Sequence, residues 1–385
     1  MLLDVVYLKL VRLSVHKRGS QKQYKRTSYF QSISRLGAIY FISLSTMVSL
    51  SQVQQTNASA ASKLPAGLVA IFAGATAGIG ETALKAFAKY TTRPKIYYIG
   101  RSQEAGDGLQ SELKELNPEG EYIFIKKDMS LLKNVDEVCR DIKSKETVLN
   151  VLFLSQGTLR IGVDTEEGLP LVTGLTIYSR NRLAVNLLPL LKKAPSLRRV
   201  ISVMAGTHEG KLFSDDIAAR NIPFTSIHNS RGHMCSALTL SLEALARQAP
   251  EVSFIHNFPG SVDTNLIRSG DGFMMQVMKY WFKVSMTVRR QWLPKEECGE
   301  RHAWLCLTGR YPGKEGSENG IKEEEVAVGT DGNKGSGVYS VDWDGESASG
   351  EVVKLLDGFK REGLVEKVWK DQEREFVRIT GTTSI

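Results

Sequence analysis

The sequence predicts an α/β fold: a doubly wound parallel sheet in a single domain, followed by a C-terminal helical extension. Two observations predict it. Short apolar runs recur from residue 68 onward, and such runs are typical of strands buried on both faces of a sheet. Helical patterns separate the runs, and crossover helices are what allow successive strands to run parallel. The runs lie at residues 68–73, 96–99, 122–125, 148–154, 200–203, 252–256 and 338–345.

Changes in composition divide the 385 residues into five segments. The predicted sheet domain, residues 67–311, follows an N-terminal segment at 47–66. A Gly- and charge-rich stretch at 312–337 is predicted to be a flexible excursion. Residues 338–385 are predicted to hold the last strand and two helices. Residues 1–46 are either a basic leader or a mis-annotated extension, and we favour the extension.

The charge of the chain is concentrated in that first segment. Residues 1–46 hold eight Lys or Arg and one Asp, and so carry +7 of the net charge of +8. The remainder is nearly neutral, which excludes nucleic acid as the expected partner. The leader is typical of a mitochondrial transit peptide, unless translation starts at Met47. The apolar run at 36–50 is too short, and too interrupted by serine, for a stable membrane span.

Cysteine usage bears on the compartment. The four cysteines include no Cys-x-x-Cys pair, which indicates reduced thiols in an intracellular protein. We therefore expect a cytoplasmic protein, or a mitochondrial one if the leader is genuine.

Three glycines directly follow the first strand, at Gly74, Gly78 and Gly80, and a helical pattern comes next. Glycines leave room for a pyrophosphate to approach the backbone and to bind the free N–H groups at a helix N-terminus. The stretch therefore predicts a dinucleotide site at a strand–turn–helix junction, with Thr76 and Ile79 in the turn.

This turn and several later motifs resemble the short-chain dehydrogenase/reductase family, and more narrowly its divergent fungal members of secondary metabolism. The resemblance covers roughly residues 66–310 and the strand at 338–345. Asp128 stands where the family has an Asp beside the adenine, and residues 153–157 stand where it has Asn-Ala-Gly under the cofactor. Residues 258–264 match the Pro-Gly turn and the Thr that hold the nicotinamide end. The resemblance implies cofactor contacts from Gly74, Thr76, Gly78, Ile79, Gly80, Arg101, Ser102, Asp128, Gly157, Pro259, Gly260 and Thr264.

The end of the second strand distinguishes the two nicotinamide dinucleotides. An NAD site usually carries an acid there for the ribose hydroxyls, whereas an arginine can pair with the 2′-phosphate of NADP. Arg101 and Ser102 stand at this position with no acid beside them. NADP is therefore the predicted cofactor.

The catalytic motif departs from the family pattern. The family binds the substrate oxygen with a Ser and uses Tyr-x-x-x-Lys, in which the cation lowers the pKa of the phenol that donates the proton. Here Arg231 and Cys235 stand at the Tyr and Lys positions, and Ser202 lies one residue before the Ser position. Tyr178, near the family's Asn position, and His233, a potential general acid, are the other candidates. The candidate catalytic residues are Ser202, Tyr178, Arg231 and His233.

Two further patterns each have a structural and a functional interpretation. Cys298, His302 and Cys306 recur every four residues, a spacing that could hold a metal. Without a fourth ligand we interpret them as core and predict no metal site. Met and aromatic residues at 273–286 form either a buried helix or a lid suited to a bulky apolar substrate.

We therefore expect an NADP-dependent oxidoreductase that reduces or oxidises a hydrophobic carbonyl compound or alcohol in fungal secondary-metabolite biosynthesis. The alternative is a redox-silent NADP-binding protein, either a structural partner or an isomerase or cyclase, because the usual Tyr and Lys are absent. The expected partner is a hydrophobic small molecule, with neither nucleic acid nor a stable membrane span. The resemblance also implies a homodimer that pairs through the helices before and within the active site.

Overall fold

The computed structural model describes residues 47–222, 227–263, 280, 292–315, 320–323 and 325–385. Residues Val48–Ile385 form one compact unit. The basic leader, Thr264 and all of the predicted lid except Tyr280 lie outside the described residues. None of the described helices is long and apolar enough to cross a membrane.

Strands and helices alternate along this unit, as the sequence predicts. The described strands are β1 Val69–Ala73, β2 Lys95–Gly100, β3 Glu121–Lys126, β4 Val151–Leu154, β5 Arg199–Val203, β6 Ser253–Asn257 and β7 Val338–Val341. The described helices are α1 Leu50–Ala58, α2 Ala60–Lys63, α3 Gly78–Tyr90, α4 Gln103–Leu116, α5 Leu132–Lys145, α6 Leu171–Thr173, α7 Ser179–Lys193, α8 Ile227–Gln248, α9 Lys295–Leu307, α10 Gly350–Arg361 and α11 Leu364–Thr380. A π-helical turn, Gly174–Tyr178, joins α6 to α7.

The seven strands form one parallel sheet in the order β3-β2-β1-β4-β5-β6-β7. The order reverses between β1 and β4, which pair with Ile71 opposite Leu152. In sheets of this kind a ligand binds beyond the carboxyl ends of the strands at such a reversal. The doubly wound α/β fold predicted from the alternating pattern is confirmed.

Successive side chains of each strand enter opposite layers of the core. On β1, Val69 and Ile71 belong to a cluster with α5, α7 and α8, whereas Ala70 and Phe72 pack with α3, α4 and α9. We call these two sides the α7 face and the α3 face. Burial of both faces explains why the strands are continuous apolar runs.

The C-terminal helix α11 covers the outside of the α7 face. Tyr178 and Asn181 donate hydrogen bonds to Asp371 Oδ2 (2.6 Å) and Gln372 Oε1 (2.7 Å) on α11, and Gln372 donates to Ser241 Oγ on α8 (2.6 Å). Helix α7 is consequently buried on almost all sides. A homodimer formed through α7 and α8 would have to displace α11, so this packing does not support the expected pairing.

The segment predicted to be a flexible excursion makes backbone hydrogen bonds in its described residues. Gly309 N–H donates to Ile321 O (2.6 Å), Ala327 N–H to Arg310 O (2.8 Å) and Thr330 N–H to Val338 O (2.9 Å). Ile321, Ala327 and Thr330 are also buried. Glycine and charge content alone predicted flexibility, but backbone hydrogen bonds and a few apolar contacts fasten this segment beside β7.

A buried ion pair joins α5, α7 and the C-terminus. The guanidinium of Arg182 contacts both carboxylate oxygens of Asp136, at 2.7 and 2.8 Å, and both side chains are almost fully buried. Asn186 adds a third hydrogen bond to Asp136 (2.9 Å), while Arg182 also reaches the carbonyl of Thr382 (3.0 Å). Removal of the carboxylate would leave a buried cation without its counter-charge.

We expect Asp136→Ala to lower the free energy of unfolding by about 3–5 kcal/mol, because a buried pair that loses one partner keeps the desolvation cost of the other. Urea denaturation measures this change. Asp141→Ala is the matched control on the same helix; its pair with Lys145 is half exposed and should be worth no more than about 1 kcal/mol. Equal effects of the two substitutions would contradict the assignment.

Candidate active site and cofactor cradle

The glycine turn between β1 and α3 has no room for side chains. Gly74 has φ +80°, and a Cβ there would lie 2.5 Å from the backbone nitrogen of Gln156. A Cβ on Gly80 would lie 2.4 Å from Ser155 Oγ, and Gly78 has φ +66°. Helix α3 begins at Gly78 without a side-chain cap, so its first N–H groups remain free to bind an anion. This cradle fits a pyrophosphate.

The end of β2 lies directly beside this turn. A Cβ on Gly100 would lie 2.4 Å from the methyl carbon of Thr76, so the turn and β2 are in close contact. Arg101 follows, half exposed, with Nη1 3.9 Å from Asp128 Oδ2. Ser102 caps α4, because its Oγ accepts a hydrogen bond from Ala105 N–H (3.3 Å). The structure thus brings Thr76, Arg101 and Asp128 together, and Ser102 has a capping role that the sequence interpretation missed.

The remaining predicted cofactor residues surround the same edge. Ile79 is partly buried and packs into the core of the α3 face. Gly157 lies beside α7, where a Cβ would be 3.6 Å from Arg180 Nη2. Pro259 is buried, and Gly260 has φ +76° and packs against Trp343. Thr264 lies outside the described residues.

Arg180 is the centre of a buried polar cluster where β4 and β5 end. It donates to the carbonyl oxygens of Gln156 (2.5 and 3.1 Å) and Val203 (2.8 Å), and to Ser202 Oγ (2.9 Å). No carboxylate within the described chain pairs with it, and burial lowers its pKa to about 9. Ser202 is fully buried. It belongs to this cluster because its hydroxyl oxygen accepts the hydrogen bond from Arg180. Arg180 is not among the predicted site residues, although its place two residues after Tyr178 in the same helical pattern could have indicated it.

The structure places Tyr178 elsewhere. It is fully buried, and its hydroxyl donates to Asp371 on α11. Burial and the neighbouring carboxylates of Asp371 and Glu375 raise its pKa well above the usual range. These contacts favour a packing role for Tyr178, whose hydroxyl is hydrogen-bonded to α11 and holds its proton firmly, and its catalytic role stays a prediction.

His233 also has a structural environment. Its Nδ1 accepts from Phe213 N–H (3.1 Å) and its Nε2 lies 3.1 Å from the carbonyl of Ile217. These contacts fix a neutral ring that holds the loop after β5 onto α8. Burial lowers its pKa, which further disfavours the protonated form. These contacts favour a structural role for His233, and its general-acid role stays a prediction.

Arg231 and Cys235 occupy successive turns of α8. The guanidinium carbon of Arg231 lies 5.4 Å from the ring centroid of Phe258, and His208 meets the same ring edge-on at 4.7 Å. Cys235 is buried, which raises the pKa of its thiol. Arg231 thus places a fixed cation at the carboxyl end of β6, whereas Cys235 contributes no charge.

A second buried network underlies the loop after β5. Glu209 Oε1 accepts hydrogen bonds from Thr239 (2.7 Å) and Ser340 (2.7 Å) and lies 3.4 Å from His256 Nδ1, whose Nε2 accepts from Ala205 N–H (3.2 Å). Burial opposes ionisation of Glu209, but the hydrogen bonds outweigh it and lower its pKa. Sequence spacing gave no sign of this cluster, because its members come from four separate elements.

Cys298, His302 and Cys306 lie in the core, on one face of α9. His302 Nδ1 donates to the carbonyl of Cys298 (2.6 Å). Burial raises the pKa of both thiols to about 12. Within the described residues no three His, Cys, Asp or Glu side chains are grouped as metal ligands would be.

Together, the strand-order reversal and the glycine cradle define a doubly wound α/β protein whose first turn has the shape expected of a dinucleotide site. No protein-family model matches the chain. Oxidoreductase andH of Emericella variicolor is 33% identical over 87% of this chain and 99% of its own length. Oxidoreductase AN1596 of Emericella nidulans is 37% identical over 85% and 97%, and short-chain dehydrogenase/reductase SAT2 of Stachybotrys chartarum is 29% identical over 81% and 93%. The chain belongs to the short-chain dehydrogenase/reductase family of oxidoreductases, as its motifs predict.

We expect His302 to make the protein sensitive to acid. Burial lowers the pKa of His302 from 6.5 to about 4. The imidazole is therefore protonated below about pH 6.5 in the unfolded chain, but only below about pH 4 in the folded protein. Stability is therefore lost as the pH falls through this window. Between about pH 7.5 and pH 5 the wild-type protein should lose about 2 kcal/mol more than His302→Phe. Urea denaturation at both pH values checks this, and equal losses would contradict it.

Proposed function

We propose that the protein is an NADP-dependent oxidoreductase that reduces or oxidises a hydrophobic carbonyl compound or alcohol, in fungal secondary metabolism. One observation carries the proposal: a glycine turn without room for side chains meets an uncapped helix N-terminus, with an exposed Arg101 at the end of the next strand. A bound nicotinamide dinucleotide supplies the hydride chemistry. The chain's own residues bind it, orient it and shape the space for the substrate.

The preference for NADP rests on Arg101. Its guanidinium is half exposed and 3.9 Å from the nearest carboxylate oxygen, so it remains available to a second anion. A 2′-phosphate bound there would form charge-assisted hydrogen bonds. The carboxylate of Asp128, 3.9 Å from the guanidinium, limits how freely Arg101 can move. A ribose without the 2′-phosphate carries no negative charge for Arg101 to pair with.

A hydrophobic substrate is supported by the aromatic character of the described residues around the nicotinamide end. Phe258 and Trp343 lie just beyond the ends of β6 and β7, and both Trp343 and Leu293 lie beside Gly260. Large flat side chains suit an apolar ligand better than a sugar or a phosphate ester. Arg231, on the face of Phe258, provides a cation able to polarise a substrate oxygen but not to donate a proton at neutral pH.

We propose that Ser202, positioned by Arg180, takes the place of the Ser that binds the substrate oxygen in the family. Arg180 donates to Ser202 Oγ at 2.9 Å, which leaves the hydroxyl hydrogen of Ser202 free to bind an acceptor. Arg180 is a positioning residue in this arrangement, because its other hydrogen bonds hold the ends of β4 and β5. The catalytic group of this pair would be the Ser202 hydroxyl.

A redox-silent NADP-binding protein is the second candidate, favoured by one specific observation. Tyr178 and His233, the two side chains predicted to supply a proton, are both engaged in structural hydrogen bonds. The two candidates are distinguished by following NADPH absorbance with a panel of apolar ketones and aldehydes. Turnover supports the oxidoreductase; tight NADPH binding without turnover on any member, or on alcohols with NADP, supports the silent protein.

We expect Arg101→Ala to weaken NADPH binding about 10- to 100-fold, because it removes the charge-assisted hydrogen bonds to the 2′-phosphate. NADH binding should change by less than about threefold. Isothermal titration calorimetry measures both affinities. Arg140→Ala, which removes a comparably exposed guanidinium on α5, is the control and should alter neither. Equal loss of NADPH and NADH affinity would rule out a 2′-phosphate contact at Arg101.

A further inference from the structure

The side chain of Gln156 has unmet hydrogen-bonding capacity. Gln156 follows β4 and is 6% exposed, and neither Nε2 nor Oε1 has a hydrogen-bond partner within the described chain. Buried amides almost always find partners, since an unpaired one loses its hydrogen bonds to water without replacement. An amide with both ends unpaired therefore points to a partner that is not part of the chain.

The location of this amide is set by its backbone. The Gln156 nitrogen lies under Gly74, at the base of the glycine cradle, and its carbonyl accepts hydrogen bonds from Arg180. Ser155, one residue earlier, turns toward β1 and α3, where its hydroxyl contacts the carbonyl oxygens of Ala73 (3.1 Å) and Gly74 (3.3 Å). Strand alternation places Gln156 on the opposite side, toward α7 and α8.

The neighbouring polar groups do not satisfy the amide. Arg180 directs its hydrogen bonds to backbone carbonyls and to Ser202, and no hydrogen bond joins Ser202 to the Gln156 side chain. In the motif resemblance Gln156 stands where the family has Ala, so the amide is a feature of this chain rather than of the shared cofactor turn.

We propose that the Gln156 side chain binds the sugar hydroxyls of the nicotinamide half of the dinucleotide. The inference rests on the proposed function. With the pyrophosphate on the turn after β1 and the 2′-phosphate at Arg101 after β2, the other half of the cofactor lies over β4, on the far side of β1. An amide presents donors and an acceptor side by side, which matches two adjacent hydroxyl groups. Gln156 thereby compensates for the cation that Cys235 does not provide.

Gln156→Met tests this assignment, because methionine keeps the length of the side chain and removes both polar ends. NADPH affinity should fall about tenfold in calorimetry, the loss expected for one to two hydrogen bonds. Affinity for 2′,5′-ADP, which lacks the nicotinamide half, should stay within about twofold. The urea midpoint of the ligand-free protein should remain the same or rise, since an unpaired buried amide is removed.

Gln372→Met is the matched control. Gln372 is also buried, but its amide accepts from Asn181 and donates to Ser241, so its loss should lower the urea midpoint and leave NADPH affinity unchanged. Unchanged NADPH affinity in Gln156→Met, a parallel loss for 2′,5′-ADP, or a lowered urea midpoint would each overturn the proposal while leaving NADP binding intact. Failure of the wild-type protein to bind NADPH would instead overturn the proposed function, and this assignment with it.

Discussion

The structure depends on one buried guanidinium where two parallel strands separate. Leu154 and Ser202 are the last residues that pair β4 with β5, and the backbone carbonyls of Gln156 and Val203 lie just beyond them. Arg180 satisfies both and fixes Ser202 at the same time. A cation buried without a carboxylate is costly, and its lowered pKa of about 9 reflects that cost. The hydrogen bonds offset this cost and hold the carboxyl ends of β4 and β5 in place.

Arg180 can point to the sheet because the residues next to it in sequence make their hydrogen bonds to other elements. Tyr178 and Asn181 point to α11, and Arg182 points to Asp136 on α5. Residues 178–182 therefore connect the sheet, helix α5 and the C-terminal extension, each through hydrogen bonds of buried side chains. The extension is in this sense part of the site: without α11, the outer face of α7 would expose Tyr178 and Asn181.

The sequence predicted the fold and the cofactor cradle because both depend on local patterns. Apolar runs separated by helices specify a parallel sheet, and Gly74 and Gly80 lie where any side chain would collide with Gln156 or Ser155. The structural hydrogen bonds of Tyr178 and His233 could not be predicted, because a helical pattern shows which residues share a face, not what covers that face. Glu209 and His256 were missed because their network joins four elements that are distant in sequence. Gln156 stood in the motif, but only the structure reveals that its amide is unpaired.

Several buried polar atoms without hydrogen-bond partners lie near the altered catalytic motif. Gln156, Glu209 and Asn257 each leave a buried side-chain atom without a partner within the described chain, and all three lie near the carboxyl ends of β4, β5 and β6. A sheet edge that served only the core would be more stable with apolar residues there. Unpaired groups that lower stability persist where a ligand or a reaction makes use of them. Arg231 and Cys235 lie near the same edge, so the departures from the family motif and the unpaired amide of Gln156 concern one candidate site.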